Sequence, residues 1–556
     1  MKNYKKVLNI LFLKKKLYLE LLILIILDIF VALLQPVLWG YLITDLIALR
    51  DQEGIVIIIL LFFVYLMSTL LSFGKGKKET EIKCVVGFEL KEKLYLLLLN
   101  AKACEQRKMQ TGEFVSTLEY DVDEITNVCA SQIVNLIVES FKVVVILILS
   151  FAISWKLTLV SVFVFPLNLL FFYSLGNRIN ENEKILRENI DEYYSKTQEY
   201  FNGIKGIKCM GAKEKIKSIL MEIIEINKIY GVKNGKLTSM GTSFVGLMDF
   251  VSLIIIYSFG YYLVRKQELN VELFIAYTSY SATLSAALMS VLEFNPVLQR
   301  IKVSLKRIED LITDLEKNAE NWGNKIVNDI YKPIKIENVC FSYGDKEVLK
   351  NINIIFPQTG VVALAGKNGC GKTTFIEILL RINYPNRGKI YLDGIENTEI
   401  EEKCFRKIFG AYLQNDFLFN MTIRENIMLA NPSVTDDEIM YWAKKIGIYK
   451  KISELPLGLD YIVNENSKNF SGGEIQKICL LRTIIQNTRV LIFDEPMSSM
   501  DNISKKLFRK VMKELSMDKL IIIVSHDDKD FEMADVKYLL KDGNIEFLNT
   551  PLLIQD

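Results

Sequence analysis

Long apolar runs fill the first half of the chain, and short apolar runs separated by turn residues fill the second. A helix that crosses a bilayer needs about 20 apolar residues. Gly54–Phe73, Leu157–Asn177 and Leu273–Leu292 reach that length without a charge. Three further runs carry isolated charges: Glu20 and Asp28 in the first, Glu139 and Lys142 in the next, Asp249 in the last. The pattern predicts six spans, at 17–43, 54–74, 132–155, 157–177, 239–264 and 271–293. Buried helices of a soluble protein would not produce six such runs in one half of a chain. Glu79–Lys108 and Asn180–Tyr230 lie between spans. They are rich in Glu, Lys, Leu and Ile and lack proline, so they read as helices continuing into the cytosol.

After Val291 the chain leaves the apolar pattern. Ser304–Leu315 reads as a charged helix, and Asn318–Asn328 as a polar linker. From Pro333 onward, β-rich runs alternate with helical stretches, as in an α/β domain with a largely parallel sheet. The expected architecture is a helical membrane domain over 1–315, a linker over 316–332 and an α/β domain over 333–556.

Composition agrees with a mixed chain. Of 556 residues, 50% are hydrophobic and 24% charged, and mean hydropathy is +0.22. A net charge of +2 leaves no basic excess for nucleic acid as a bulk partner. The apolar content excludes intrinsic disorder, and the length excludes a small disulfide-stapled fold. The basic residues concentrate between spans two and three and between spans four and five. The positive-inside rule then places both termini and both long segments in the cytoplasm. The eight cysteines include no C-x-x-C pair, and the chain has one histidine, so neither disulfides nor a structural zinc site is expected. The first apolar run is too long for a cleavable signal peptide.

Gly366-Lys-Asn-Gly-Cys-Gly-Lys-Thr-Thr374 follows the strand-like Val361–Ala365 and precedes the helix-like Phe375–Ile382, the context a P-loop requires. Glycines (Gly366, Gly369, Gly371) let backbone N–H groups approach phosphate oxygens, and the helix N-terminus adds a favourable dipole. Lys367, Asn368, Cys370 and Thr374 complete the loop. Lys372 would reach the β- and γ-phosphates of ATP, and the Thr373 hydroxyl would hold Mg²⁺. Val490-Leu-Ile-Phe-Asp-Glu495 is an apolar run ending in two acids. Asp494 would hold the Mg²⁺ shell, and Glu495 would polarise the attacking water.

With Phe470-Ser-Gly-Gly-Glu474 added, the chain resembles the ATP-binding cassette superfamily, whose usual signature is L-S-G-G-Q. The resemblance assigns further roles. Tyr343 matches the aromatic that stacks on adenine, and Gln414 the Q-loop glutamine at the metal and the reaction. Asp501, in Ser498-Ser-Met-Asp501, matches the D-loop, and His526 the switch histidine. Tyr461–Gly473, with Glu465 retained, is similar to the exporter-type element before the signature. Thr111–Asp121, Ile153–Thr158 and Glu199–Lys208 resemble segments of exporter membrane domains. The resemblance covers nearly the whole chain.

It implies a half-transporter. The Ser471-Gly472-Gly473 signature of one cassette would close over ATP held by another, so two chains must pair. Because Glu495 and His526 are both kept, the partner is a second copy, the favoured reading, or another half-transporter. The expected setting is a multi-pass protein of a bacterial plasma membrane with its ATPase domain in the cytoplasm. No peptidase domain for trimming leader peptides is expected. Four positions depart from the family pattern: Glu474 replaces glutamine, Asn464 and Ser467 replace glycines, and Cys370 lies inside the P-loop.

Cargo is less legible. Acids inside a span cost about 2.5–3.5 kcal/mol at the bilayer centre and are functional by default. Asp28 and Asp249 lie well inside their spans, whereas Glu20 and Glu293 lie nearer the ends and read as headgroup-facing. Glu139 and Lys142 share a helix face and are expected to pair. Tyr277–Ser290 is rich in Ser, Thr, Tyr and Ala, which suits a wet cavity wall or close helix packing. These features point to export of an amphipathic, cationic drug-like or peptide cargo. A lipid flippase and a siderophore-type importer of the same fold are the alternatives.

Overall fold

The computed structural model describes residues 14–47, 51–106, 111–162, 165–292, 294–414, 416–464 and 469–548. Glu293, Glu465 and Ser467 lie outside them. The chain divides into two compact units, residues 1–100 with 109–318, and 101–108 with 319–556.

The first unit is helical. It begins with α1 (Lys15–Ile47) and α2 (Asp51–Leu99); the short α3 (Ala103–Gln106) belongs to the second unit. A long helical rod follows, made of α4 (Thr111–Ser116), α5 (Val122–Asn127) and α6 (Ile133–Ile153). Wider π-helical turns join its pieces at Thr117–Asp121 and Val128–Gln132. Next come α7 (Trp155–Val162), α8 (Phe165–Asn202), α9 (Ile204–Cys209), α10 (Lys213–Arg265), α11 (Val271–Leu292) and α12 (Phe294–Lys317). Among the described residues, four helical stretches are long and apolar enough to cross a membrane: Lys15–Ile47, Gln52–Leu99, Phe114–Ile153 and Lys213–Arg265. The expected span at 157–177 falls on α7 and α8, with residues 163–164 outside the described set. The span at 271–293 falls on α11, whose hydroxyl-rich sequence makes it less apolar than the four.

Several polar groups inside this unit find partners on neighbouring helices, where no water is at hand. Pro36 interrupts the hydrogen-bond ladder of α1. The Tyr280 hydroxyl of α11 donates to the nearby Leu33 carbonyl at 2.6 Å. The same two helices touch at Gly40, where an added Cβ would lie 2.3 Å from the Glu272 carbonyl oxygen. Only glycine permits that approach. The span acids separate into two kinds. Glu139 pairs with Lys142 at 2.9 Å, as expected from their spacing. Glu20 does not simply face headgroups, because Lys78 of α2 holds it at 2.7 Å.

The second unit is α/β. A four-stranded antiparallel sheet has the order β2-β1-β4-β5, from β1 (Lys335–Tyr343), β2 (Lys346–Ile355), β4 (Arg387–Leu392) and β5 (Ile395–Glu396). A six-stranded sheet has the order β10-β9-β3-β8-β7-β6. Its parallel strands are β3 (Gly360–Ala365), β6 (Phe409–Tyr412), β7 (Val490–Asp494), β8 (Leu520–Val524) and β9 (Val536–Lys541), with β10 (Asn544–Phe547) antiparallel at the edge. Alternate residues of β3, β7 and β8 enter two different cores. Val361, Ala363, Leu491, Phe493, Ile521 and Ile523 face one, and Val362, Leu364, Ile492 and Ile522 the other. Burial on both faces explains why these strands read as unbroken apolar runs. The helices are α13 (Lys372–Leu379), α14 (Glu402–Ile408), α15 (Ile423–Met428), α16 (Asp436–Ile446), α17 (Tyr449–Glu454), α18 (Gly472–Ile485), α19 (Asn502–Leu515) and α20 (Asp528–Met533). Within this unit the Arg381 guanidinium lies 3.9 Å from the centre of the Trp322 ring. Its amino groups also donate to the Asn397 and Asn321 carbonyls.

Candidate nucleotide and catalytic site

Four parallel strands end on the same side of the six-stranded sheet, where open α/β sheets place their ligands. The P-loop leaves β3, Gln414 follows β6, Asp494 and Glu495 end β7, and His526 follows β8. Gly371, at φ +109°, is the N-cap of α13 and contributes no side-chain cap. That conformation favours glycine, and it leaves the first N–H groups of the helix free for an anion. Lys372 is buried, and its ammonium donates to the Gly366 carbonyl at 2.7 Å and to the Lys367 carbonyl at 3.1 Å. A cation folded onto two loop carbonyls, above free helix N–H groups, is a donor set suited to phosphate. Lys367, Asn368 and Gly369 are exposed at the loop tip, Cys370 is half-buried, and Thr374 is buried beneath.

The Thr373 hydroxyl donates to Asp494 Oδ2 at 3.0 Å. This hydroxyl–carboxylate pair is the kind of hard oxygen set that Mg²⁺ prefers. Asp494 is 1% exposed. Burial pushes its carboxyl above the usual range, and the neighbouring Glu495 adds to this, while Thr373 and Lys372 oppose it. The ionised form is therefore penalised in the folded chain, and stability falls as pH rises from the ordinary aspartate value through the raised one. Asp494→Asn should raise the nucleotide-free melting midpoint by a few degrees, equivalent to about 1 kcal/mol. It should also lower Mg²⁺-dependent ATP turnover. Calorimetry of the purified chain checks the first effect, and a lower midpoint would remove the burial argument.

Glu495 has a left-handed backbone, φ +51°, and its N–H donates to the Val524 carbonyl at 2.9 Å. Its two carboxylate oxygens have different neighbours. Gln414 Nε2 donates to Oε2 at 3.2 Å, and His526 Nε2 lies 3.3 Å from Oε1. Tyr343 ends β1 with its ring about half exposed, leaving a face open for stacking. Its hydroxyl accepts from Asn383 Nδ2 at 2.9 Å, which ties it to the end of the P-loop helix.

Ser471 and Asp501 are placed differently. Ser471 is the N-cap of α18 in a capping box with Glu474. Asp501 is the N-cap of α19 and accepts from the Ile503 and Ser504 backbone N–H groups. Among the described residues, neither makes a hydrogen bond to the P-loop of its own chain. Ser471 and Gly472 are instead exposed, and Gly473 is half-buried. The structure also accounts for the acid at position 474. Its carboxylate accepts from the Ser471 N–H at 2.8 Å and pairs with Lys451 at 3.0 Å. Burial would raise its pKa, but the Ser471 and Lys451 hydrogen bonds outweigh burial and hold it below the usual range.

One residue of this region escaped sequence reasoning. Gln476 is buried on α18 and joins the ends of β6 and β7 to the loop that follows Glu495. Its amide donates to Tyr412 at 3.2 Å, to Ser498 Oγ at 3.3 Å and to the Glu495 carbonyl at 3.5 Å, and it accepts from the Ser499 N–H at 3.1 Å. The available signal was weak, a polar side chain beside Lys477 and just before the apolar run Ile478–Leu481.

Residues 18–288 match the family model for the ABC transporter transmembrane region, and residues 349–498 match that for the ABC transporter. The chain belongs to the ABC transporter family. Both parts in one chain make it an exporter-type half-transporter, an ATPase coupled to transport. It is 24% identical over 467 residues to an ATP-dependent lipid A-core flippase of Francisella novicida, covering 82% of this chain and 78% of the relative. It is 26% identical over 474 residues to the alpha-hemolysin translocation ATP-binding protein HlyB of Escherichia coli, covering 83% and 65%. It is 25% identical over 464 residues to ABC transporter B family member 1 of Dictyostelium discoideum, covering 83% and 51%. This half-transporter thus has relatives whose names describe both a lipid and a protein cargo.

Proposed function

We propose that the half-transporter works as a dimer, preferably of two identical chains, and exports an amphipathic cationic cargo by alternating access. One observation carries the cargo reading. Glu20 and Glu139 are neutralised by Lys78 and Lys142, but Asp28 and Asp249 have only hydroxyl partners among the described residues. Ser68 donates to Asp28 at 3.3 Å, and Ser285 donates to Asp249 at 2.5 Å. Asp249 opens onto a cavity of about 220 Å³ shared with Ser252, Thr278, Ser281 and Ser285. An acid held by hydroxyls beside apolar walls suits an organic cation.

In this reading the membrane domain runs over 1–315 with six spans, a linker covers 316–332, and the cassette covers 333–556. Both termini and the cassette are cytoplasmic in a bacterial plasma membrane. Lys372 and the P-loop N–H groups hold the phosphates of ATP, and Tyr343 stacks on the base. Glu495 accepts the proton of the attacking water, and Gln414 and His526 keep its carboxylate aimed. Thr373, Asp494 and Gln414 hold Mg²⁺, which supplies charge neutralisation on the phosphates. Ser471, Gly472, Gly473 and Asp501 complete the site of the paired chain, which fits the exposure of Ser471, Gly472 and Asp501 and, among the described residues, the lack of a hydrogen bond from Ser471 or Asp501 to their own P-loop.

The test is ATPase stimulation by a rhodamine-type cation in proteoliposomes. Asp28→Asn with Asp249→Asn should abolish the stimulation, or weaken half-maximal stimulation at least about tenfold, while basal turnover persists. Stimulation equal to that of the parent chain would end the cationic reading. A second reading, lipid translocation, is favoured by an apolar cavity of about 410 Å³ between α1 and α6, lined by residues such as Leu22, Ile26, Ile137 and Phe141. It would show as turnover that follows lipid identity and ignores both aspartates.

A further inference from the structure

The backbone on both sides of His526 belongs to a closed ring of hydrogen bonds that reaches α19. Arg509, in the middle of α19, presents a fork: Nε donates to Asp530 Oδ1 at 2.6 Å, and Nη2 donates to Asp527 Oδ2 at 2.7 Å. The other oxygen of Asp530 accepts from the Ser525 hydroxyl at 2.5 Å. Ser525 Oγ in turn accepts from the Asp527 N–H at 3.1 Å, which closes the ring. Asp527 is also the N-cap of α20, accepting from the Lys529 N–H at 3.1 Å. His526 therefore sits between two residues whose side chains are tied to Asp530 and Arg509 respectively, and to each other through the Asp527 N–H.

The ring is built for rigidity. Asp530 is fully buried, and Arg509 is mostly so. Burial pushes the Asp530 carboxyl up, while Ser525 and Arg509 pull it back. A bidentate guanidinium fixes direction as well as distance, which a lysine cannot do. His526 needs such support because its surroundings are open. It lines a cavity of about 390 Å³ together with Glu495, Ser498, Lys505 and Asp527. Its side chain is 42% exposed. Packing alone would let the ring swing away from Glu495.

We propose that Arg509, acting through Asp530, Ser525 and Asp527, is the positioning residue for His526 and sets how often the imidazole faces Glu495. The inference rests on the reading that Glu495 and His526 serve ATP hydrolysis. Among the described residues Arg509 makes no hydrogen bond to the P-loop, Glu495 or His526, and it does not line the cavity beside them, so its contribution enters kcat and leaves ATP binding alone. It also attaches His526 to the helix that Asp501 caps, so the two loops move together.

Three variants of the full chain in proteoliposomes test this: Arg509→Lys, the double Arg509→Met with Asp530→Leu, and His526→Ala. The double variant replaces the buried pair with apolar groups of similar size, which avoids an orphaned charge. Both Arg509 variants should lose about tenfold or more in kcat, with KM and fluorescent-ATP affinity within about twofold of the parent. A merely structural role would lower the melting midpoint and the active fraction, leaving kcat per bound ATP unchanged. Parental kcat in either Arg509 variant, or a loss confined to KM, overturns the proposal. If His526→Ala keeps full turnover, the catalytic reading falls and takes this inference with it. If His526→Ala is inactive and the Arg509 variants are not, only the inference falls.

Discussion

Glu495→Gln should lower ATP turnover about a hundredfold or more while ATP still binds, the range seen when a general base is removed. The geometry argues for so clean a separation. The glutamate ends β7 in a left-handed conformation, with its N–H on the Val524 carbonyl and its carbonyl near Gln476. Its side chain is steered by Gln414 on one oxygen and His526 on the other. Glutamine has the same shape and keeps one oxygen, so the loop should hold its place. What it loses is the ability to take a proton. Phosphate release and retention of labelled ATP through gel filtration measure the two halves of the claim. Turnover within about threefold of the parent would remove Glu495 from the chemistry. The same experiment addresses pairing, because turnover by the parent chain purified alone requires a self-sufficient homodimer. ATP bound without turnover in both chains would point to a missing partner half.

Lys372→Met should weaken ATP binding by about a hundredfold. Hydrogen bonds to charged groups contribute up to about 3 kcal/mol, and each 1.4 kcal/mol is tenfold in affinity. The ammonium is buried on the carbonyls of Gly366 and Lys367, inside the loop itself, so it lies where a phosphate held by that loop would meet it. Methionine keeps the stem and the packing against the loop but carries no charge. Titration calorimetry with ATP in the Glu495→Gln background reads affinity without turnover. Affinity within about threefold of the parent would mean that the helix N–H groups hold the phosphates by themselves. A fall in melting midpoint of many degrees would mean that the lysine is needed for the fold rather than the ligand.

The two halves of the chain were legible to different depths. The P-loop could be read because its chemistry lies in nine consecutive positions between a strand and a helix, so local spacing is enough. The acid pair at the end of β7 was legible for the same reason. The membrane half announced its helices through run length, yet the fate of each charge could not be read that way. Glu139 and Lys142 are one helical turn apart and could be paired from spacing. Glu20 and Lys78 sit on different helices, and nothing local joins them. The hydroxyl partners of Asp28 and Asp249 likewise come from neighbouring helices.

Gln476 and Arg509 show the limit more sharply. Neither lies in a motif that announces a role, and each gains one only from residues brought to it by the sheet. Gln476 meets Tyr412, 64 positions earlier, and Arg509 meets Asp530, 21 positions later. The sequence alone determined the chemistry: a nucleotide-binding α/β domain after a run of membrane helices, with a basic loop, two acids and one histidine in the required order. That information is local, because phosphate recognition needs only glycines, a lysine and a helix start. The tertiary structure alone decided orientation, namely which oxygen of Glu495 faces which partner, which span acids meet a lysine and which a hydroxyl, and which side chains surround His526. Such facts depend on strand order and helix packing, and those arise from burial of apolar faces between segments far apart in the chain.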